Sequence, residues 1–143
     1  MKNSRHRSRE FALQGLYQWQ LAGTDVVTIE QQLTAVKGFD QSDAGYFSAL
    51  LTGAVREMQR LEQLLQPHLD RKFSALSPIE RAILLIAGYE FIHQPDVPYK
   101  VVINEAVELA KSYGGTDGYK YVNGVLDKLA AELRPNETAK KAV

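Results

Sequence analysis

Ser77-Pro78-Ile79-Glu80-Arg81-Ala82-Ile83-Leu84-Leu85-Ile86-Ala87-Gly88-Tyr89-Glu90-Phe91-Ile92-His93 is the stretch that decides the fold class. Its first four residues are a helix-start signal. A serine can accept from the backbone N–H three residues on, a glutamate can reach back, and proline occupies the first helical position, where its missing N–H costs nothing. The helix so opened, residues 78–93, is apolar on almost every side, the pattern of a central helix surrounded by others. Its apolar run, residues 82–92, contains Glu90 and is too short to span a bilayer, which needs about 20 apolar residues.

Helical periodicity continues in both directions, and no stretch alternates as a strand does. Downstream, the loop with Pro95 and Pro98 stops the central helix. A further helix over residues 100–113 ends at Gly114 and Gly115. Thr116 or Asp117 caps the next, residues 118–133, which Pro135 terminates. The polar residues 136–143 read as a disordered tail. Upstream, a helix over residues 4–21 ends before Gly23, and a second over 26–36 is broken by Lys37-Gly38-Phe39. Ser42 or Asp43 caps a long helix reaching residue 65, with Tyr46, Phe47, Leu50, Leu51, Ala54, Val55, Met58, Leu61, Leu64 and Leu65 at helical spacing. Pro67 interrupts it, and a short helix fits residues 69–76. The prediction is an all-α chain of six or seven helices. No linker separates independent domains, so residues 1–135 read as one domain, with 66–77 as the place where two helical subassemblies divide. No repeat of 20–50 residues occurs.

The composition is that of a globular protein, 45% apolar and 24% charged. The absence of cysteine excludes disulfides, cysteine-ligated zinc, iron–sulfur clusters and a thiol nucleophile. The basic N-terminus has no apolar stretch behind it, so it does not read as a secretory signal, and a cytoplasmic protein is expected. Net charge is zero but unevenly spread: +3 over residues 1–24, −4 over 25–70 and +1 over 71–143.

Enzyme signatures are missing. Gly114-Gly115-Thr116-Asp117-Gly118 lacks the preceding strand and the following lysine of a phosphate loop. His6, His68 and His93 have no ligand-spaced neighbours, so neither a metal nor another cofactor is expected. Glu105 and Glu108 lie one turn apart. The pattern favours a surface pair of Glu108 with Lys111 over paired catalytic carboxylates.

Three features do carry binding chemistry. Lys2-Asn3-Ser4-Arg5-His6-Arg7-Ser8-Arg9 holds four basic residues in eight, the footprint of nucleic-acid contact or simply a solvated terminus. Cations at a helix N-terminus oppose the macrodipole by a few tenths of a kcal/mol, up to about 1. On the first helix, Ala12, Leu13, Leu16 and Trp19 share one arc while Tyr17 and Leu21 fall on a neighbouring one. Either the helix is buried on two sides, or Tyr17 and Leu21 belong to a partner surface. On the last helix, Tyr121 leaves the apolar arc and projects with Asp117, Gly124 and Lys128. It is either an ordinary exposed tyrosine or a platform for stacking a nucleobase.

Together these segments resemble one family. The stretches Arg7 to Trp19, Glu80 to Leu84, Val97 to Lys111 and Tyr121 to Lys128 are similar to the NusB family of bacterial transcription antitermination factors, and the likeness runs from about Arg5 to Pro135. The resemblance implies two packed helical subbundles and a non-enzymatic function. That function is binding the single-stranded boxA element of nascent RNA together with NusE, a protein of the small ribosomal subunit, in an RNA polymerase antitermination complex, notably on ribosomal RNA operons. It assigns RNA contact to Arg5, Arg7 and Arg9, with His6 where arginine is common, and to Tyr121 with Lys120. It assigns the NusE surface to Tyr17, Leu21, Glu80 and Asp117. Leu85 stands where some relatives carry a basic residue. Glu80 reads equally as a cap residue and as a carboxylate for a basic partner. The competing reading is a helical adaptor that binds no RNA.

Overall fold

The computed structural model describes residues 4–141, which form eight α-helices, three short 3₁₀ turns and no strand. Lys2 and Asn3 of the basic cluster lie outside the described residues. The chain divides into two compact units at residues 58/59.

The first unit holds α1 (Ser4–Ala22), α2 (Val26–Thr34) and α3 (Ala44–Arg56). Gly23, at a φ of 66°, lets the chain leave α1 in a conformation that L side chains rarely adopt. Asp25 caps α2 by accepting from Thr28 N–H, and Asp43 caps α3 by accepting from Tyr46 N–H at 3.0 Å. Phe11, Phe39 and Phe47 meet edge-on at the centre of this core. The fully buried Ser8 hydroxyl donates to the Asp43 carbonyl at 2.7 Å and accepts from Asp43 N–H at 2.9 Å. It thereby fastens the start of α1 to the start of α3. About two turns further along α1, Gly15 leaves no room for a side chain. A Cβ there would stand 2.9 Å from Leu51 Cδ1 and 3.2 Å from both Ile29 Cγ2 and Leu33 Cδ1.

The second unit holds α4 (Met58–Leu65), α5 (Pro78–His93), α6 (Tyr99–Tyr113), α7 (Gly118–Leu133) and α8 (Pro135–Lys141). The apolar helix α5 packs against α6 and α7, which also pack on each other. It buries an unbroken run from Ala82 to Phe91, Glu90 included. Leu85 is wholly inside this core, so no surface contact is available at that position. Arg134 is buried where α7 gives way to α8. Its guanidinium donates to the carbonyls of Phe91 (2.9 Å), Val97 (3.0 Å), Gln94 (3.0 Å) and Glu90 (3.4 Å) and pairs with Glu137. The other Glu137 oxygen accepts from Tyr99 N–H at 3.0 Å, at the start of α6.

Four expectations change. The long helix over 43–65 breaks at Glu57, because its two halves bury their apolar faces in different cores: Phe47, Leu50 and Leu51 in the first unit, Leu61 and Leu65 in the second. No α-helix forms over 69–76, where Leu69 and Leu76 are extended and only Phe73–Ala75 makes a 3₁₀ turn. Pro135 ends α7 but also opens α8, so the tail read as disordered is helical as far as Lys141. At the start of α7 the cap position is Asp117, yet its side chain makes no capping bond, and its φ of 66° places it in the left-handed region.

Candidate nucleic-acid interface

The N-terminal arginines have three different environments. Arg7 is exposed. Arg5 lies 4.4 Å from the Tyr46 ring centroid, and its Nε is 4.0 Å from an Asp43 carboxylate oxygen. That carboxylate offsets the unfavourable position of a cation at the start of α1. Arg9 is buried, 4% exposed, with its guanidinium 5.4 Å from the Tyr46 centroid and an Nη2 bond to the Tyr46 hydroxyl at 3.4 Å. Arg9, to which the resemblance assigns an RNA contact, stands on the inner face of α1 beside Tyr46. His6 Nε2 lies 3.8 Å from Glu10 Oε2, one turn on. Tyr17 and Leu21 are 39% and 58% exposed, so the side of α1 away from the Phe11 core is not buried.

In the second unit, α7 and the segment before α5 enclose a groove of about 360 Å³ lined by Pro67, Asp70, Lys120, Tyr121, Gly124 and Lys128 among others. Tyr121 is half-buried rather than freely projecting. Its hydroxyl accepts from Asp70 N–H at 3.2 Å, and the Arg71 guanidinium sits over its ring, 5.1 Å from the centroid. Burial raises the Tyr121 pKa. Arg71 is gripped in turn by Asp70, with Nε to Oδ1 at 2.7 Å and Nη2 to Oδ2 at 3.1 Å. Those bonds hold the Asp70 carboxyl down at about 2, with the Tyr121 hydroxyl helping. Gln66 braces this segment: its amide N–H donates to the Arg71 carbonyl at 2.8 Å, and its Oε1 accepts from Phe73 N–H at 2.9 Å. Sequence reading missed Gln66, Asp70 and Arg71, because nothing local marks side-chain bonds that replace a regular backbone ladder.

A titration tests this grip. Removing the guanidinium in Arg71→Ala removes the main stabiliser of the Asp70 carboxylate, so its pKa rises from about 2 towards the ordinary 3.8. Carbon-detected NMR of the side-chain carboxyl reads the change, and a midpoint still near 2 in the variant contradicts the pairing.

Lys120 Nζ lies 3.5 Å from Asp117 Oδ1, so the first turn of α7 carries a paired cation. Glu80 behaves as half of a capping box. Its N–H donates to Ser77 Oγ at 3.1 Å, while its carboxylate turns to the start of α7, where a Cβ on Gly118 would meet Oε2 at 3.1 Å. Lys111 lies over the Tyr119 ring at 5.0 Å, a cation–π contact in place of the Glu108 pair expected from spacing. Among the described residues no cluster of three or more His, Cys, Asp or Glu could hold a metal ion, and no helix is long and apolar enough to cross a membrane.

Two helical units with an open groove and no strand among the described residues define a small all-α protein. Within that class the chain belongs to the NusB family, whose model matches residues 6–131. It is 59% identical over 138 residues to the transcription antitermination protein NusB of Cupriavidus pinatubonensis, covering 96% of this chain and 83% of that one. Among solved structures it is similar to T. maritima NusB, with 28% identity, a TM-score of 0.85 and coverage of 98% and 99% of the two chains. It is also similar to a chain in the crystal structure of antitermination factors NusB and NusE in complex with dsRNA. There the identity is 26%, the TM-score 0.81 and the coverage 92% of this chain and 99% of that one.

Proposed function

We propose that the chain is a transcription antitermination factor that binds boxA RNA together with NusE and helps RNA polymerase resist termination, notably on ribosomal RNA operons. The observation that carries this reading is the near-complete match to a relative that bears the antitermination name. The likeness to a chain solved with NusE and RNA supports both partners. The role is one of binding in the cytoplasm, without catalysis.

In this reading Arg7 is the principal phosphate contact of the N-terminal cluster, because its fork is exposed. Arg5 and His6 contribute beside it, while Arg9 acts by holding α1 against Tyr46. Lys120 and Tyr121 supply charge and a ring in the groove. The exposed Tyr17 and Leu21, and the carboxylates of Glu80 and Asp117, suit a basic protein partner such as NusE.

The test is an RNA titration over a series of salt concentrations, with and without NusE. The wild-type chain with NusE retains a boxA oligonucleotide better than a duplex of the same sequence. Arg7→Ala lowers the log–log salt slope by roughly 0.7, the value for one phosphate contact on a single strand. Arg9→Ala leaves the slope unchanged. Absence of boxA binding in the presence of NusE refutes the reading and favours an adaptor that binds no RNA. An unchanged slope in Arg7→Ala removes that arginine from the interface.

A further inference from the structure

We propose that Arg71 is a stacking residue of the RNA groove, its guanidinium plane forming an outer layer on the Tyr121 ring against which an unpaired base lies. The proposal rests on the reading above that this groove takes RNA.

The geometry favours this task for Arg71. Its Nε and Nη2 are engaged by the two Asp70 oxygens, so one bidentate edge is already occupied, and the pair carries little net charge. The guanidinium carbon lies over the Tyr121 ring, 5.1 Å from its centroid. The side chain is nonetheless 49% exposed. Guanidinium planes, like aromatic rings, stack on splayed bases. Arg71 is also rigidly presented. Gln66 clamps the backbone at Arg71 and Phe73, Asp70 fixes the fork, and the Tyr121 hydroxyl receives Asp70 N–H. A preorganised plane loses little entropy when a base arrives. Lys120 and Lys128, which line the groove with Asp70 and Tyr121, are placed to meet the flanking phosphates. A base stacking directly on Tyr121 from this side would first have to break the Asp70–Arg71 pair.

The experiment compares Arg71→Ala, Arg71→Lys and Tyr121→Ala with the wild-type chain, each with NusE, in boxA RNA titrations over a salt series. Melting curves confirm that the variants are folded. Loss of one stacked base weakens binding by about tenfold. The expected result is that Arg71→Ala and Arg71→Lys both lose about tenfold with the salt slope unchanged, because lysine keeps the charge and lacks the plane. If lysine retains wild-type affinity and alanine lowers the slope by about 0.7, Arg71 is a phosphate contact and the proposal is overturned. It is equally overturned if Arg71→Ala binds as tightly as wild type, or tighter, while Tyr121→Ala is weakened, since Arg71 is then only a cover over the ring. If wild type binds RNA and neither Arg71→Ala nor Tyr121→Ala weakens it, the groove is not the RNA site and the proposal falls. If wild type itself fails to bind, it is the function proposed above that fails.

Discussion

Arg134→Ala lowers the stability of the folded chain by about 3–5 kcal/mol and its melting temperature by about 10 °C, the scale expected when one partner of a buried charged network is removed. Arg134 is 8% exposed, and its guanidinium serves the carbonyls of Glu90, Phe91, Gln94 and Val97. The last carbonyls of a helix have no intrahelical donor, and the bond from Arg134 to the Phe91 carbonyl near the end of α5 is buried. In the alanine variant the buried carbonyls of Phe91 and Val97 lose their donor, while those of Glu90 and Gln94 keep the N–H groups of Gln94 and Val97, and each unsatisfied group costs about 1–3 kcal/mol. Glu137 loses its partner as well. Arg134→Lys keeps the charge but replaces a planar fork with one point donor, so it recovers only a minor part of the loss. Thermal and urea melts of both variants measure this. An alanine variant melting within a degree or two of the parent would show that water replaces the guanidinium at no cost.

Phe47→Ala is expected to cost about 3–5 kcal/mol, here through a cavity and not through unmet polar groups. Phe47 is fully buried on α3. Its ring stands edge-on to Phe39 at 5.1 Å and to Phe11 at 6.4 Å. Each such pair adds about 0.5–1.5 kcal/mol beyond area burial. Phe11 belongs to α1 and Phe39 to the turn before α3, so the three rings join segments distant in sequence. Phe47→Leu fills part of the space and retains most of the stability. A urea titration reads the difference, and a loss below about 1 kcal/mol for alanine would mean that the neighbours collapse into the vacated space.

The helices were legible wherever a start signal and an apolar stripe coincide. Ser77-Pro78 gives the beginning of α5, and the glycines and Pro135 delimit α6 and α7 within a residue. Legibility failed where one stripe serves two cores, as at Glu57: periodicity reports which residues are apolar and not which core receives them. It failed again over 66–76, where the Gln66 amide replaces backbone bonds and no repeating pattern results. Within the candidate site, the helical wheel set Tyr17 and Leu21 apart from the main apolar arc but left burial and exposure both open, and the structure leaves them exposed. The burial of Arg9 was not legible, because a cation held over a tyrosine ring looks in sequence like any other member of a basic cluster. Arg134 was invisible for a related reason: beside Pro135 it reads as the end of a helix, and its acceptors lie some forty residues away.

The close fit at Gly15 has a consequence for what α1 displays. Ser8 and Gly15 lie within about 20° of each other around the helix axis, whereas Tyr17 and Leu21 lie about 160° and 120° round from Gly15. Ser8 locks into Asp43, and the bare Cα of Gly15 seats against Leu51, Ile29 and Leu33. The two act as index pins that set the rotational phase of the helix. A substitution at Gly15 that turned α1 by a few tens of degrees would leave every outward side chain chemically intact and aim all of them elsewhere. The identity of the display face is thus written on the opposite side of the helix, in a position defined by the atoms it lacks.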